Sequence, residues 1–278
     1  MTLAYFPGCS AASTGREFAQ STEALMEALG LGLVEVPDWN CCGATSASVL
    51  SPRLAVELNA RNLRQAALLG AEMMLVPCAA CYNRLKTAQL ELREKPELAR
   101  ELEVPPPALQ MRIVNLPELL LEYPGLEELK ARTTVDLGRL HPAAYYGCLL
   151  LRPPKTVQFD DPERPTSMER ILEAIGLQAA TWYGRTECCG ASLGIPRPSI
   201  VEQRVGRLVE SAKRGEANCM VAACPLCVVN LETRQTGSDP LPVFYLSEVV
   251  GAALGIEPFK LGTQRHLLSK TLVGAKGH

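Results

Sequence analysis

Nowhere does a basic stretch alternate with aromatic residues, and 28 Lys and Arg against 30 Asp and Glu leave a formal net charge of -2. The electrostatic term that dominates nucleic-acid affinity is missing, so nucleic acid is not an expected partner. No apolar run reaches the roughly 18 to 20 residues of a membrane span. The opening Met1-Thr2-Leu3-Ala4-Tyr5-Phe6-Pro7 has neither a charged n-region nor a cleavage site, so the expectation is a cytoplasmic protein with no direct membrane span. The run C-x2-C-x2-C-x3-C-P of a ferredoxin-like cluster is also missing. Electrons for any redox chemistry here therefore come from another protein.

What the chain does have is cysteine, eleven in 278 residues. An odd number argues against a fully paired disulfide framework, and in a reducing compartment cysteine signals thiolate chemistry or metal. Two groups stand out: Cys41-Cys42-Gly43 and Cys188-Cys189-Gly190. Adjacent cysteines bond to each other only with strain, so a repeated pair points to a metal or redox site.

With 47% apolar residues the chain can bury one large core or two of about half its length. Short strands are expected at Leu3–Phe6, Leu33–Val36, Met73–Val76 and Arg112–Val114, with helices over Glu17–Leu29, Ser51–Leu69, from Tyr82, over Glu91–Glu103 and through Leu121. A polar stretch from Gly125 to Asp136 reads as a boundary, after which the pattern starts again.

Ala143-Ala144-Tyr145-Tyr146-Gly147-Cys148 mirrors Ala4-Tyr5-Phe6-Pro7-Gly8-Cys9, and Cys224-Pro225-Leu226-Cys227 mirrors Cys78-Ala79-Ala80-Cys81. A weak strand is expected before Glu187, strands at Met220–Ala223 and Pro242–Tyr245, and helices at Ser167–Ile175, Ser199–Lys213 and after Ser247. The fold class is thus α/β, two pseudo-two-fold-related repeats, each a small parallel sheet flanked by helices. The expected domains are 1–138 and 139–278. The second repeat carries an insertion of about eight residues within Arg152–Pro165. Its prolines mark a loop, either a lip over a substrate or partner or a passive surface excursion.

Ligands of parallel sheets gather beyond the carboxyl ends of the strands, where all these cysteines are expected. Helix N-termini there favour thiolates and an anionic cluster. Each repeat offers five thiols: Cys9, Cys41, Cys42, Cys78 and Cys81, then Cys148, Cys188, Cys189, Cys224 and Cys227. Structural zinc takes four. Five soft ligands per repeat fit an iron-sulfur cluster with an unusual ligand set better than zinc.

The doubled pattern of one Cys, CCG and CxxC, with Pro77-Cys78-Ala79-Ala80-Cys81-Tyr82-Asn83-Arg84 and Tyr146-Gly147-Cys148-Leu149-Leu150-Leu151-Arg152-Pro153-Pro154, resembles the B-type component of heterodisulfide reductase over nearly the whole chain. The resemblance implies two non-cubane [4Fe-4S] clusters held by those ten cysteines. It also implies a disulfide substrate cleaved to two thiols between the clusters, and two partners, a small iron-sulfur subunit of the C type and a flavin subunit of the A type. Related heterodisulfide-reductase-like proteins act oxidatively on sulfur or thiols, and the direction is not written in the ligands. A zinc-bound or disulfide-switched module without catalysis is the alternative of another class.

Candidate substrate residues are Arg84, Arg152 and Lys155, which could neutralise an anionic thiol or the clusters, and Tyr245, placed to donate to sulfur. Tyr245 and Ser247 could equally be strand-end packing. Cys219 reads as a small core residue and His141 as a surface or capping residue rather than a ligand. His266 and His278 fall in a basic tail with Lys260, Arg265, Lys270 and Lys276, either a docking segment or a solvated end.

Overall fold

In the computed structural model the described residues are 1–44, 47–236, 239–268 and 272. The first half runs β1 (Thr2–Tyr5), α1 (Arg16–Ala28), β2 (Gly32–Glu35), α2 (Ala47–Leu50), α3 (Pro52–Ala67), β3 (Met73–Leu75), α4 (Ala79–Glu94), α5 (Pro96–Glu101), α6 (Pro106–Gln110), β4 (Arg112–Val114), α7 (Leu116–Glu122) and α8 (Leu126–Arg132). The second runs β5 (Pro142–Tyr145), α9 (Pro154–Val157), α10 (Ser167–Ala174), α11 (Pro198–Arg214), β6 (Cys219–Ala222), α12 (Pro225–Thr233), β7 (Val243–Tyr245), α13 (Leu246–Ala253) and α14 (Pro258–Leu261).

Capping chemistry sets several of these boundaries. Ser51 starts α3 by accepting the Leu54 N–H at 3.2 Å, and Asn115 starts α7 by accepting from Glu118 at 2.9 Å. Proline occupies the first helical position of α3, α5, α11 and α12, where its missing N–H costs nothing.

All pairings are parallel, in the orders β2-β1-β3-β4 and β5-β6-β7. The registers correspond: Tyr5 faces Leu75 in one sheet as Tyr145 faces Ala222 in the other. The α/β class with two sheet-and-helix repeats is as expected.

Four local expectations change. The weak strand before Glu187 does not form; Ala180 N–H bonds Pro142 O at 2.9 Å, and then the Trp182 indole, not a backbone amide, takes Ala144 O at 3.1 Å. A side chain has replaced the ladder bond, so the second sheet has three strands. The helix expected over Glu91–Glu103 is broken by Pro96, which ends α4 and opens α5. The polar stretch from Gly125 carries α8.

The proline-rich insertion is not a free loop. It holds α9, and α4 of the first half clamps it. Asn83 donates to Leu149 O and Arg152 O at 3.0 and 2.7 Å, and Lys86 to Val157 O at 2.5 Å.

The halves also exchange helices. Helix α1 packs on α13 and α14, while α10 packs on α7 and α8. Phe18 stacks on Tyr245 with ring centroids 4.6 Å apart, and the Ser21 and Ser247 hydroxyls share a hydrogen bond of 2.7 Å. The cut between residues 138 and 139 therefore separates the sheets but not the helical layers.

Candidate iron-sulfur centre

The first cysteine and the CxxC pair of each repeat sit where a strand has just ended. Cys9 and Cys148 follow β1 and β5 by a short turn, and Cys78 and Cys224 lie just beyond β3 and β6 as the N-cap residues of α4 and α12. The turns need glycine for close approach. A Cβ on Gly8, at φ +76°, would lie 2.9 Å from Cys81 Sγ, and one on Gly147, at φ +65°, 3.4 Å from Cys227 Sγ. The first-cysteine turn thus lies directly on the CxxC helix in both halves.

The CCG loops are fixed from outside. Asn59 donates to Cys42 O at 3.0 Å, Asn230 to Cys189 O at 2.7 Å and Arg204 to Cys188 O at 3.0 Å. Inside, amides point at sulfur: Gly43 N lies 3.5 Å from Cys41 Sγ, and Gly190 N 3.3 Å from Cys188 Sγ.

All eleven thiols are free. Cys41 and Cys9 are 3.5 Å apart at sulfur, Cys42 and Cys81 3.2 Å, and Cys189 and Cys227 3.6 Å. Cys78 and Cys224 interact directly across the boundary between the halves. Thiols thus gather at sulfur contact within each half, and Cys78 and Cys224 influence each other's ionisation across the boundary.

Neighbouring S–H groups decide which sulfur is charged. Hydrogen bonds from Cys41 and then Cys81 pull Cys42 down to about 4, with the Arg84 charge adding to the effect. Bonds from Cys148 and Cys189 push Cys188 far below the ordinary thiol range. Each half thus holds a thiolate supported by its neighbours.

Among the described residues no group of three or more His, Cys, Asp or Glu side chains is arranged to hold a single metal ion. Soft sulfurs in contact within each half, with the Gly43 and Gly190 amides directed at Cys41 and Cys188, suit a multi-iron group better than one tetrahedral ion.

Between the halves lies a cavity of about 280 Å³. All five cysteines of the second repeat line it; from the first repeat come Ala44, Val49, Ala79, Ala80 and Arg84. Arg84 Nε is buried without a hydrogen-bond partner among the described residues.

The other candidates lie elsewhere. Arg152 donates to Thr186 O, Pro162 O and Glu163. Lys155 borders a separate pocket with Lys86, Arg93 and Arg112. The Tyr245 hydroxyl donates to Glu17 at 3.0 Å. Cys219 is buried in β6, and burial pushes its thiol up to about 12. The His141 ring bonds Glu216 O at 2.8 Å, a capping role.

His266 is buried rather than solvated: Nδ1 meets Glu232 at 2.9 Å and Nε2 meets Glu248 at 2.8 Å. Lys270, Lys276 and His278 lie outside the described residues. Sequence reasoning missed this triad because its members are far apart in the chain and only packing brings them together.

Two parallel-sheet repeats, each gathering five free thiols, define a cysteine-rich iron-sulfur redox protein. Residues 3–86 and 143–232 match the CCG cysteine-rich domain, and the chain belongs to that family. It is 33% identical, over 98% of its length and 99% of the relative, to the 8-methylmenaquinol:fumarate reductase membrane anchor subunit of Wolinella succinogenes. It is 26% identical, over 96% of its length and 93% of the relative, to the B component of the ferredoxin/F(420)H(2)-dependent CoB-CoM heterodisulfide reductase of Methanosarcina acetivorans. A crystal structure of a hypothetical protein from Helicobacter pylori superposes with a TM-score of 0.77 over 98% of this chain and 53% of that one. At 15% identity that likeness establishes the fold alone. No helix among the described residues is long and apolar enough to cross a membrane.

Proposed function

We propose that the chain is the substrate-converting component of a heterodisulfide-reductase-type complex. Its ten cysteines, Cys9, Cys41, Cys42, Cys78, Cys81, Cys148, Cys188, Cys189, Cys224 and Cys227, hold two non-cubane [4Fe-4S] clusters. The reaction is RSSR′ + 2 e⁻ + 2 H⁺ → RSH + R′SH. The electrons come from a small iron-sulfur subunit fed by a flavin subunit. When bound, the clusters supply single electrons and iron sites for the released sulfurs.

The observation that carries this reading is the cavity, with a complete set of five cysteines on one wall and helix α4 of the other half opposite. The protein's own contribution is to orient and to exclude water. The amides of Gly43 and Gly190 and the N-termini of α4 and α12 hold negative charge on sulfur. The apolar wall of Ala44, Val49, Ala79, Ala80, Leu149 and Leu226 keeps the site dry.

A second reading has one specific support. Val49 and Leu50 in one half and Ile195 in the other are 83%, 77% and 95% exposed, and they sit in or just beyond the chain that follows each CCG. With so aliphatic a cavity, and a relative named for menaquinol oxidation and membrane anchoring, a quinone is the competing substrate.

Anaerobic purification with iron and acid-labile sulfide analysis tests the cofactor; zinc without sulfide sinks both readings. Turnover of disulfides against menaquinone analogues, with EPR of the oxidised protein plus thiols, decides between them. A spectrum that no thiol perturbs, alongside quinone reduction, rejects disulfide cleavage.

A further inference from the structure

The cavity has an aliphatic wall, a wall of sulfur and one cationic side chain, Arg84. That residue stands on α4 one turn past Cys81. Its neighbours on the helix are committed: Asn83 to the Leu149 and Arg152 carbonyls, Lys86 to Val157 O. Arg84 is not, for its buried Nε meets no acceptor among the described residues.

Glu91, which borders an adjoining cavity that Arg84 also lines, is tied to Lys95 at 2.9 Å. A buried cationic N–H without an acceptor is unfavourable, and at a cavity wall it is a ready partner for an anionic oxygen.

We infer that Arg84 reads the ligand of this cavity: an aliphatic molecule carrying one anionic group of the carboxylate type, which docks on the Arg84 guanidinium while the reacting end lies against the second-repeat cysteines. For that reacting end, the inference rests on the disulfide reading. A second anionic group on the ligand meets no cation among the residues lining the cavity, so a dianion is disfavoured. The cavity is thus built for an amphiphile rather than for a substrate charged at both ends.

The test uses calorimetric titration of the anaerobically purified holoprotein at pH 7.5 with three probes: 4-(butyldisulfanyl)butanoate, its methyl ester, and sulfur-free decanoate. The acid is expected to bind at least about tenfold more tightly than the ester, the scale of a charge-assisted hydrogen bond. Arg84→Gln removes that preference while leaving ester binding unchanged, and Arg84→Lys keeps part of it. Unchanged ester binding shows that the cavity is intact, and a purely structural role for Arg84 would not separate acid from ester.

Equal binding of acid and ester by the wild type, or an undiminished preference in Arg84→Gln, overturns the inference. If decanoate binds through Arg84 while neither disulfide binds, the anion site stands and the disulfide reading falls. If the disulfides bind without acid preference, the reverse holds. If no probe binds, both fall.

Discussion

Replacing His266 with Gln isolates a strongly perturbed ionisation outside the cysteines. Burial by itself would lower the imidazole pKa, but the hydrogen bonds that the ring donates to Glu232 and Glu248 outweigh it and raise it from 6.5 to about 10. The folded value lies above the unfolded one. The stabilisation is therefore fully present below about pH 6.5 and is lost as pH climbs through about 10. At 1.36 kcal/mol per unit the full effect is on the order of 5 kcal/mol, of which about 3 kcal/mol disappears between pH 7 and pH 10.

Glu248, itself raised chiefly by burial, acts with the same sign from its ordinary value of 4.5 upward. With a urea slope of about 3 kcal/mol/M, the wild-type midpoint should fall by roughly 1 M from pH 7 to pH 10. Anaerobic urea titrations followed by circular dichroism provide the measurement, and His266→Gln should be lower at pH 7 and nearly flat across the window. Parallel pH profiles for wild type and variant would refute the reasoning, because they would mean that His266 is not held charged between the two glutamates.

Three further outcomes are expected. Cys189→Ala should lower iron and acid-labile sulfide to about half while Cys219→Ala leaves both unchanged, measured by colorimetric analysis; equal loss in the two variants would remove the distinction between ligand and core cysteine. Gly43→Ala should destabilise by about 1 to 3 kcal/mol, because φ is +71° and the new Cβ would lie 2.6 Å from Ala47 Cβ. Gly190→Ala, whose nearest atom lies at 3.4 Å, should cost less by denaturant titration. Changing Leu50 and Ile195 together to Ser should abolish flotation with liposomes if the quinone reading holds, and should leave disulfide turnover intact if it does not.

Much of this architecture is legible in the chain alone. Strand candidates that run directly, or through Gly or Pro, into a cysteine locate the first cysteine and the CxxC pair of each half beyond β1, β3, β5 and β6, because turn chemistry is local. The strand expected before Glu187 fails because a local pattern does not reveal that the Trp182 indole will cap the Ala144 carbonyl. The insertion after Cys148 looks free because its anchors, Asn83 and Lys86, lie on a helix of the other half. Arg84, Arg152 and Lys155 are equal candidates in sequence; only packing separates a half-buried arginine whose Nε has no acceptor among the described residues from one bonded to Thr186, Pro162 and Glu163. The apolar face of α1 is plain, but periodicity does not say which half of the molecule it covers.

That last point bears on how such a chain could have arisen. Helix α1 touches β2 of its own sheet but packs mainly on α13 and α14, and α10 packs on α7 and α8 of the first half. A chain holding one repeat alone would expose the Phe18 and Leu25 face of α1 and, on the opposite side, the surface that α10 now shields. Both gaps close if two identical copies trade helices across a two-fold axis. The minimal cooperative unit is thus a pair, and fusing the two copies into one polypeptide frees each site to diverge, as Arg84 in only one wall of the cavity already illustrates.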